Sequence, residues 1–109
     1  MTLDIQHALA STFSAHLNST FRLSYGSATM DLALVEILDG STPRQVNFSL
    51  LFRGPLELPL PQQIYAFEHG QLGQFDVFIV PIKRDANGLY YEAVFNRAIK
   101  TTASANERH

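Results

Sequence analysis

From residue 20 to residue 96 apolar side chains recur at every second position, and this period of two constrains the chain more than any other feature. A strand turns successive side chains to opposite faces, so alternation of this kind marks half-buried β-structure. Residues 20–25 set Phe21, Leu23 and Tyr25 against Thr20, Arg22 and Ser24. Residues 46–52 set Val46, Phe48, Leu50 and Phe52 against Asn47, Ser49 and Leu51. Residues 64–69 resume the pattern. Residues 75–82 are apolar on both faces, with Phe75, Val77 and Ile79 opposite Phe78, Val80 and Ile82, which predicts a central strand covered on both sides. Asn87-Gly88 in the segment 85–88 supplies the positive φ angles of a hairpin loop. Residues 89–96 are therefore expected to pair back onto 75–82.

Residues 28–38 are less regular. Met30, Leu32 and Leu34 keep one phase, and Val35 and Ile37 take the other around Glu36. A β-bulge near Leu34 accounts for the slip. A short helix over 27–39 is the alternative. Between residues 53 and 63 three prolines remove amide donors, so the segment is expected to be an extended surface loop. Ahead of all these strands, Ile5, Leu9, Phe13 and Leu17 recur every fourth residue, which predicts one helix over residues 4–17 that stops near Asn18. The expected architecture is mainly β: one N-terminal helix and about six antiparallel strands, curled into a small barrel or sandwich so that no edge is left open.

Composition supports one such domain. The chain has 109 residues, 46% of them apolar, and its 8 Phe and 4 Tyr supply a core. Residues 1–99 are expected to form the domain and the polar residues 100–109 a disordered tail. Cysteine is absent, which excludes disulfides, thiolate chemistry and cysteine-bound zinc. Lys and Arg number 8 against 10 Asp and Glu, for a net charge of −2, which argues against an electrostatic nucleic-acid binder. Phe48, Phe52, Tyr65, Phe67 and Tyr91 are available to stack bases beside Arg53, Lys83, Arg84 and Arg97, but the aromatics alternate as core residues do. Residues 1–10 carry no Lys or Arg and so lack the basic start of a secretory signal. The apolar run 75–82 is far short of the about 20 residues of a membrane helix. A cytoplasmic location without membrane association is expected.

Reactive constellations are sparse. The histidines His7, His16, His69 and His109 show no metal-ligand spacing. Glu68-His69 and Asp76 could meet across the turn 70–73, but a histidine that ends a strand and caps the turn is the simpler reading. Ser49 lies mid-strand, outside any nucleophile elbow. Gly70-Gln71-Leu72-Gly73 has no lysine and leads into a strand rather than a helix, so it reads as a turn and not a phosphate loop. Arg53, Glu92 and Arg97 are placed to form an ion-pair cluster at one end of the sheet. No catalytic residue, cofactor or metal is expected.

The segment Phe48-Ser-Leu-Leu-Phe-Arg-Gly-Pro55 is distinctive. So are Gln63-Ile-Tyr65, Glu68-His69, Leu72-Gly73, Phe78-Ile-Val-Pro81 and Tyr91-Glu-Ala-Val-Phe-Asn96. As a set, spread over residues 13–96, they resemble a family of small bacterial domains of about 100 residues and unknown function. Members of that family lie near phage-tail-collar-like proteins. The resemblance implies a β-rich accessory of a tail-like assembly, and it transfers no catalytic residue.

The function expected from these features is a non-enzymatic structural or protein-interaction module, joined to a protein partner or to a second copy. Leu56, Leu58 and Leu60 alternate in the proline-rich loop and are expected to lie exposed on one side of it, available for docking. The alternative is a small-molecule binder or enzyme at the barrel mouth, with Arg53, Tyr65, His69 and Glu92 as its polar set.

Overall fold

A computed structural model describes residues 3–99; the expected polar tail lies outside the described residues. Six strands follow a short N-terminal segment: β1 Thr20–Tyr25, β2 Ala28–Asp39, β3 Gln45–Gly54, β4 Gln63–His69, β5 Gly73–Asp85 and β6 Gly88–Ala98. They close into one antiparallel barrel in the order β1-β2-β3-β6-β5-β4, with β4 returning to β1 through Arg22–Glu68, Leu23–Phe67 and Ser24–Ala66. The chain thus makes two three-stranded meanders, joined by the loop 55–62.

A closed barrel has one inner face, and the period-two side chains fill it. Phe21, Leu23, Leu34, Phe48, Phe52, Phe67, Ile79 and Tyr91 are all fully buried. Residues 28–39 form a strand, not a helix. Its pairing with β3 shifts between Leu34 and Glu36, which leaves Val35 as the extra residue of the expected bulge. Close packing also requires Gly54. It faces inward between Leu32 and Tyr91, and a Cβ there would lie 2.5 Å from the Leu32 Cδ2.

β5 changes partners along its length. Residues 73–79 pair with β4, and residues 80–85 pair with β6. Pro81 falls just past the end of β4, where the strand has an open side and a missing amide is tolerated. The pairing with β6 shifts between Pro81 and Lys83, so Ile82 is bulged out. Of residues 75–82, only the face of Phe75, Val77 and Ile79 is buried. Phe78 and Ile82 are each 47% exposed, which corrects the expectation of cover on both sides. Once the sheet has closed around its core, no second layer is left to shield the outside.

The expected single helix is divided. Ile5–His7 form one 3-10 turn, and the helix α1 spans Ala10–Ser14. Local bonds explain the break. The Asp4 carboxylate accepts the Gln6 N–H and pairs with His7, which completes a turn on its own. Ala8 and Leu9 then run extended, and the Ala8 carbonyl accepts a bond from the Arg97 guanidinium (2.8 Å). Thr12 turns its hydroxyl back to accept the Leu9 N–H (3.0 Å). Leu9 and Leu17, expected on the buried stripe, stay partly exposed, whereas Phe13 is fully buried. The segment ends where expected, at Asn18, with φ +70°. Among the described residues no helix is long and apolar enough to cross a membrane.

Phe13 closes the end of the barrel formed by the starts of β1, β3 and β5. Its ring lies within 6.5 Å, centroid to centroid, of Phe21, Phe48, Phe75 and Phe95. Phe13→Ala is expected to destabilise the domain by about 3–5 kcal/mol, the usual cost of truncating a buried Phe. Urea unfolding followed by circular dichroism measures it, and an unchanged midpoint would contradict the role of Phe13 as a plug.

Candidate functional site

The four residues expected to share a pocket do not converge. Arg53 and Glu92 belong to the outward phase of β3 and β6, because their neighbours Phe52 and Tyr91 point inward. Tyr65 and His69 belong to the inward phase of β4 and are buried at opposite ends of that strand. The expected ion-pair cluster is also dispersed. Arg53 lies beside Tyr90 at one end of β6, and Arg97 lies beside Val46 at the other. Arg97 instead binds the Ala8 carbonyl.

His69 caps a turn, as its position at the end of a strand suggested. Its Nδ1 accepts the N–H groups of Gln71 (3.1 Å) and Leu72 (3.3 Å). The proton therefore resides on Nε2, which donates to the Ser19 hydroxyl (3.0 Å). Ser19 in turn donates to the His16 carbonyl (2.5 Å). The His69 ring packs against Phe21 and His16 at centroid distances of 4.4 and 4.6 Å. Burial, reinforced by His16, holds its imidazole below the ordinary histidine range. This network joins the α1–β1 connection to the β4–β5 turn through one neutral tautomer. Among the described residues no group of three or more His, Cys, Asp or Glu could hold a metal ion.

At the other end the proline-rich loop folds back over the barrel. Leu60 is 3% exposed, which corrects its expected exposure. Its N–H donates to the Tyr91 hydroxyl (3.0 Å), and the Tyr65 hydroxyl donates to the Pro61 carbonyl (2.6 Å). Burial, with Tyr25 and Tyr91 nearby, raises the Tyr65 phenol above its ordinary value. Leu60 thus plugs this end as Phe13 plugs the other. Leu56 is half-buried and Leu58 is exposed, so the three leucines do not form one docking edge. Leu58 and Pro59 border a cleft of about 220 Å³ with Tyr25 and Met30.

Further exposed apolar groups lie on the outside of the sheet. Leu38 on β2, Val94 on β6, Ile82 and Phe78 on β5 and Ile64 on β4 are 47–65% exposed. Ile64 and Phe78 are direct cross-strand neighbours. Leu38 and Val94 flank Ser49 in one outward row, above which Leu51 lies between Glu36 and Glu92. Val80, half-buried, continues that second row. The signal for this surface was present in the sequence as the second apolar face of residues 75–82, where it resembles a buried layer.

A family model described as a domain of unknown function, DUF6916, matches residues 9–95. No curated protein and no solved structure matches the chain.

Two outcomes follow from the polar networks at the two ends. Tyr91→Phe leaves the Leu60 N–H buried without an acceptor, an expected loss of about 1–3 kcal/mol in urea unfolding. His69 binds protons less readily in the folded chain than in the unfolded one. Stability from this residue is therefore present above its unfolded pKa, near 6.5, and is lost as pH falls through the lower folded value. Thermal melts between neutral and mildly acidic pH should show this decline, and His69→Gln should flatten it; equal slopes in both proteins would exclude the assignment.

Proposed function

The chain belongs to the DUF6916 family, whose description names a domain of unknown function, and from that premise we propose that it is a non-enzymatic structural and protein-interaction module. The observation that carries this reading is the apolar outer face of β2, β3, β6 and β5. Large side chains that a barrel of this topology has no need to expose stand there in adjacent rows: Leu38 and Val94 are 58% and 62% exposed. Clustered exposed apolar groups rimmed by charge are characteristic of protein contact surfaces. The barrel interior, by contrast, is occupied by aromatic rings, and the polar groups at its ends are engaged in holding the plugs.

The proposed partner is a protein surface rather than a nucleic acid or a membrane. Its support is the net charge of −2 together with the mixed rim of Glu36, Glu92 and Lys83. The proposed setting is a phage-tail-like assembly in the bacterial cytoplasm, and its support is the motif resemblance over residues 13–96.

Val94→Lys tests the reading. At an exposed position the substitution should change folding stability by no more than about 0.5 kcal/mol. Immobilised protein presented to an extract of the native host should retain a discrete partner, and Val94→Lys should weaken that binding at least tenfold, as expected for a central apolar contact worth about 1.4 kcal/mol or more. Retention of the same proteins with unchanged affinity by the folded variant overturns the proposal.

A further inference from the structure

Leu38, Leu51 and Ile82 border a groove of about 190 Å³ on the outside of the barrel, rimmed by Glu36, Glu92 and Lys83. Strand register builds it. Glu36 on β2 lies beside Leu51 on β3, Leu51 beside Glu92 on β6, and Glu92 beside Val80 on β5. Leu38 occupies the next outward row. Ile82 is the residue left out of the pairing between Pro81 and Lys83, and bulges of this kind re-aim a side chain away from the sheet. Lys83 follows at once, with its ammonium 4.7 Å from the centre of the Tyr90 ring. Among the described residues, none of Glu36, Glu92 and Lys83 takes part in an ion pair.

The groove therefore carries both halves of one contact. Ile82-Lys83, on one wall, is an exposed apolar side chain followed by a cation. Leu38 and Leu51, on the other wall, are apolar side chains flanked by two carboxylates. A two-fold interface demands a surface that is its own complement, since each residue meets its counterpart's partner in both directions. We infer that this groove docks a second copy of the chain about a two-fold axis, Ile82 of each copy packing against Leu38 and Leu51 of the other and Lys83 meeting the partner's Glu92. The inference rests on the proposed interaction role and specifies the partner for it.

Four strands at about 4.8 Å spacing and two outward rows about 7 Å apart give a patch of roughly 260 Å², about a third of the area per partner of a standard interface. Association is accordingly weak and depends on concentration. Opposite charges across the axis fix its register more than they strengthen it.

Sedimentation equilibrium over an about hundredfold range of protein concentration tests the geometry. Wild-type chain should pass from monomer to dimer. Glu92→Lys alone sets lysine against lysine at both symmetric contacts and should remain monomeric. Lys83→Glu alone sets carboxylate against carboxylate and should also remain monomeric. An equimolar mixture of the two variants restores a Lys–Glu pair at both contacts and should dimerise again, which also shows that both variants are folded. Wild-type chain that stays monomeric throughout overturns the inference and leaves the surface to a different protein, a case the Val94→Lys capture reads separately. Single variants that associate as the wild type does overturn it as well.

Discussion

Phe13 meets the rings of Phe21, Phe48, Phe75 and Phe95 at the open end of the barrel, and Phe48 stacks on Phe95 at 4.6 Å. These contacts join the N-terminal segment to β1, β3, β5 and β6, beside single backbone bonds from Leu3 to Gln74 on β5 and from Asn18 to Leu34 on β2. Six strands closed into a ring remove their edges but leave two ends, and an end lined with rings must be covered by something apolar. Phe13 supplies that cover from outside the sheet. Phe21 and Phe52 in the layer above, 5.4 Å apart, continue the same packing toward the other end.

The two ends are closed by the same physical device in different chemistry. In each case an apolar plug comes from a non-strand segment, and a buried polar group holds that segment in place. Tyr91 and Tyr65 reach out of the barrel to bind the backbone of the proline-rich loop, and His69 and Ser19 bind the turns beneath Phe13. Buried backbone groups without partners are costly, so each polar side chain in the interior satisfies main chain that the ladder cannot reach. This accounts for the presence of a histidine and two tyrosines in an otherwise apolar core. It also separates the residues that looked like a pocket: Tyr65 and His69 serve opposite ends from within, and Arg53 and Glu92 stand on the outside.

What was legible in the sequence follows from how local the determining interaction is. Alternation placed β1 and β3, the phase slip at Leu34 to Ile37 marked the bulge at Val35, and Asn87-Gly88 marked the site of the hairpin, although its loop is Ala86-Asn87 and Asn87 does not take the positive φ expected of it. Each of these depends on neighbours along the chain. His69 was likewise readable as a turn cap, because its acceptor bonds are to residues two and three positions on. The burial of Leu60 was not readable, since it depends on a tyrosine hydroxyl 31 residues away. The four-residue spacing of Ile5, Leu9, Phe13 and Leu17 implied one helix, yet Asp4 with His7 and Arg97 with the Ala8 carbonyl divide it. The outer face of β5 was misread for a different reason. A period of two says that both faces of residues 75–82 are apolar, but whether a second layer covers one of them depends on how many elements remain to form it.

That outer face bears on function because the same barrel offers its own comparison. Outside β1 and the later part of β4 the outward residues are Arg22, Ser24, Ala66 and Glu68, with Asp31 on β2 and Gln74 and Asp76 on β5 beside them, and Arg22 pairs with Asp31 at 3.1 Å across the exposed sheet; Ile64 at the start of β4, 65% exposed, lies beside Phe78 and belongs with the apolar side. The strands, twist and solvent are common to both sides, so the fold imposes no difference in outward chemistry. One side is nonetheless charged, as an exposed sheet ordinarily is, and the other carries Leu38, Leu51, Ile82 and Val94. Exposed surface side chains away from special features contribute little to folding stability, so the apolar side has no evident stabilising role in the isolated domain. An apolar outer face also invites non-specific association, which the charged side avoids. A feature that the fold does not require, and that carries this liability, is what supports the proposed covering surface.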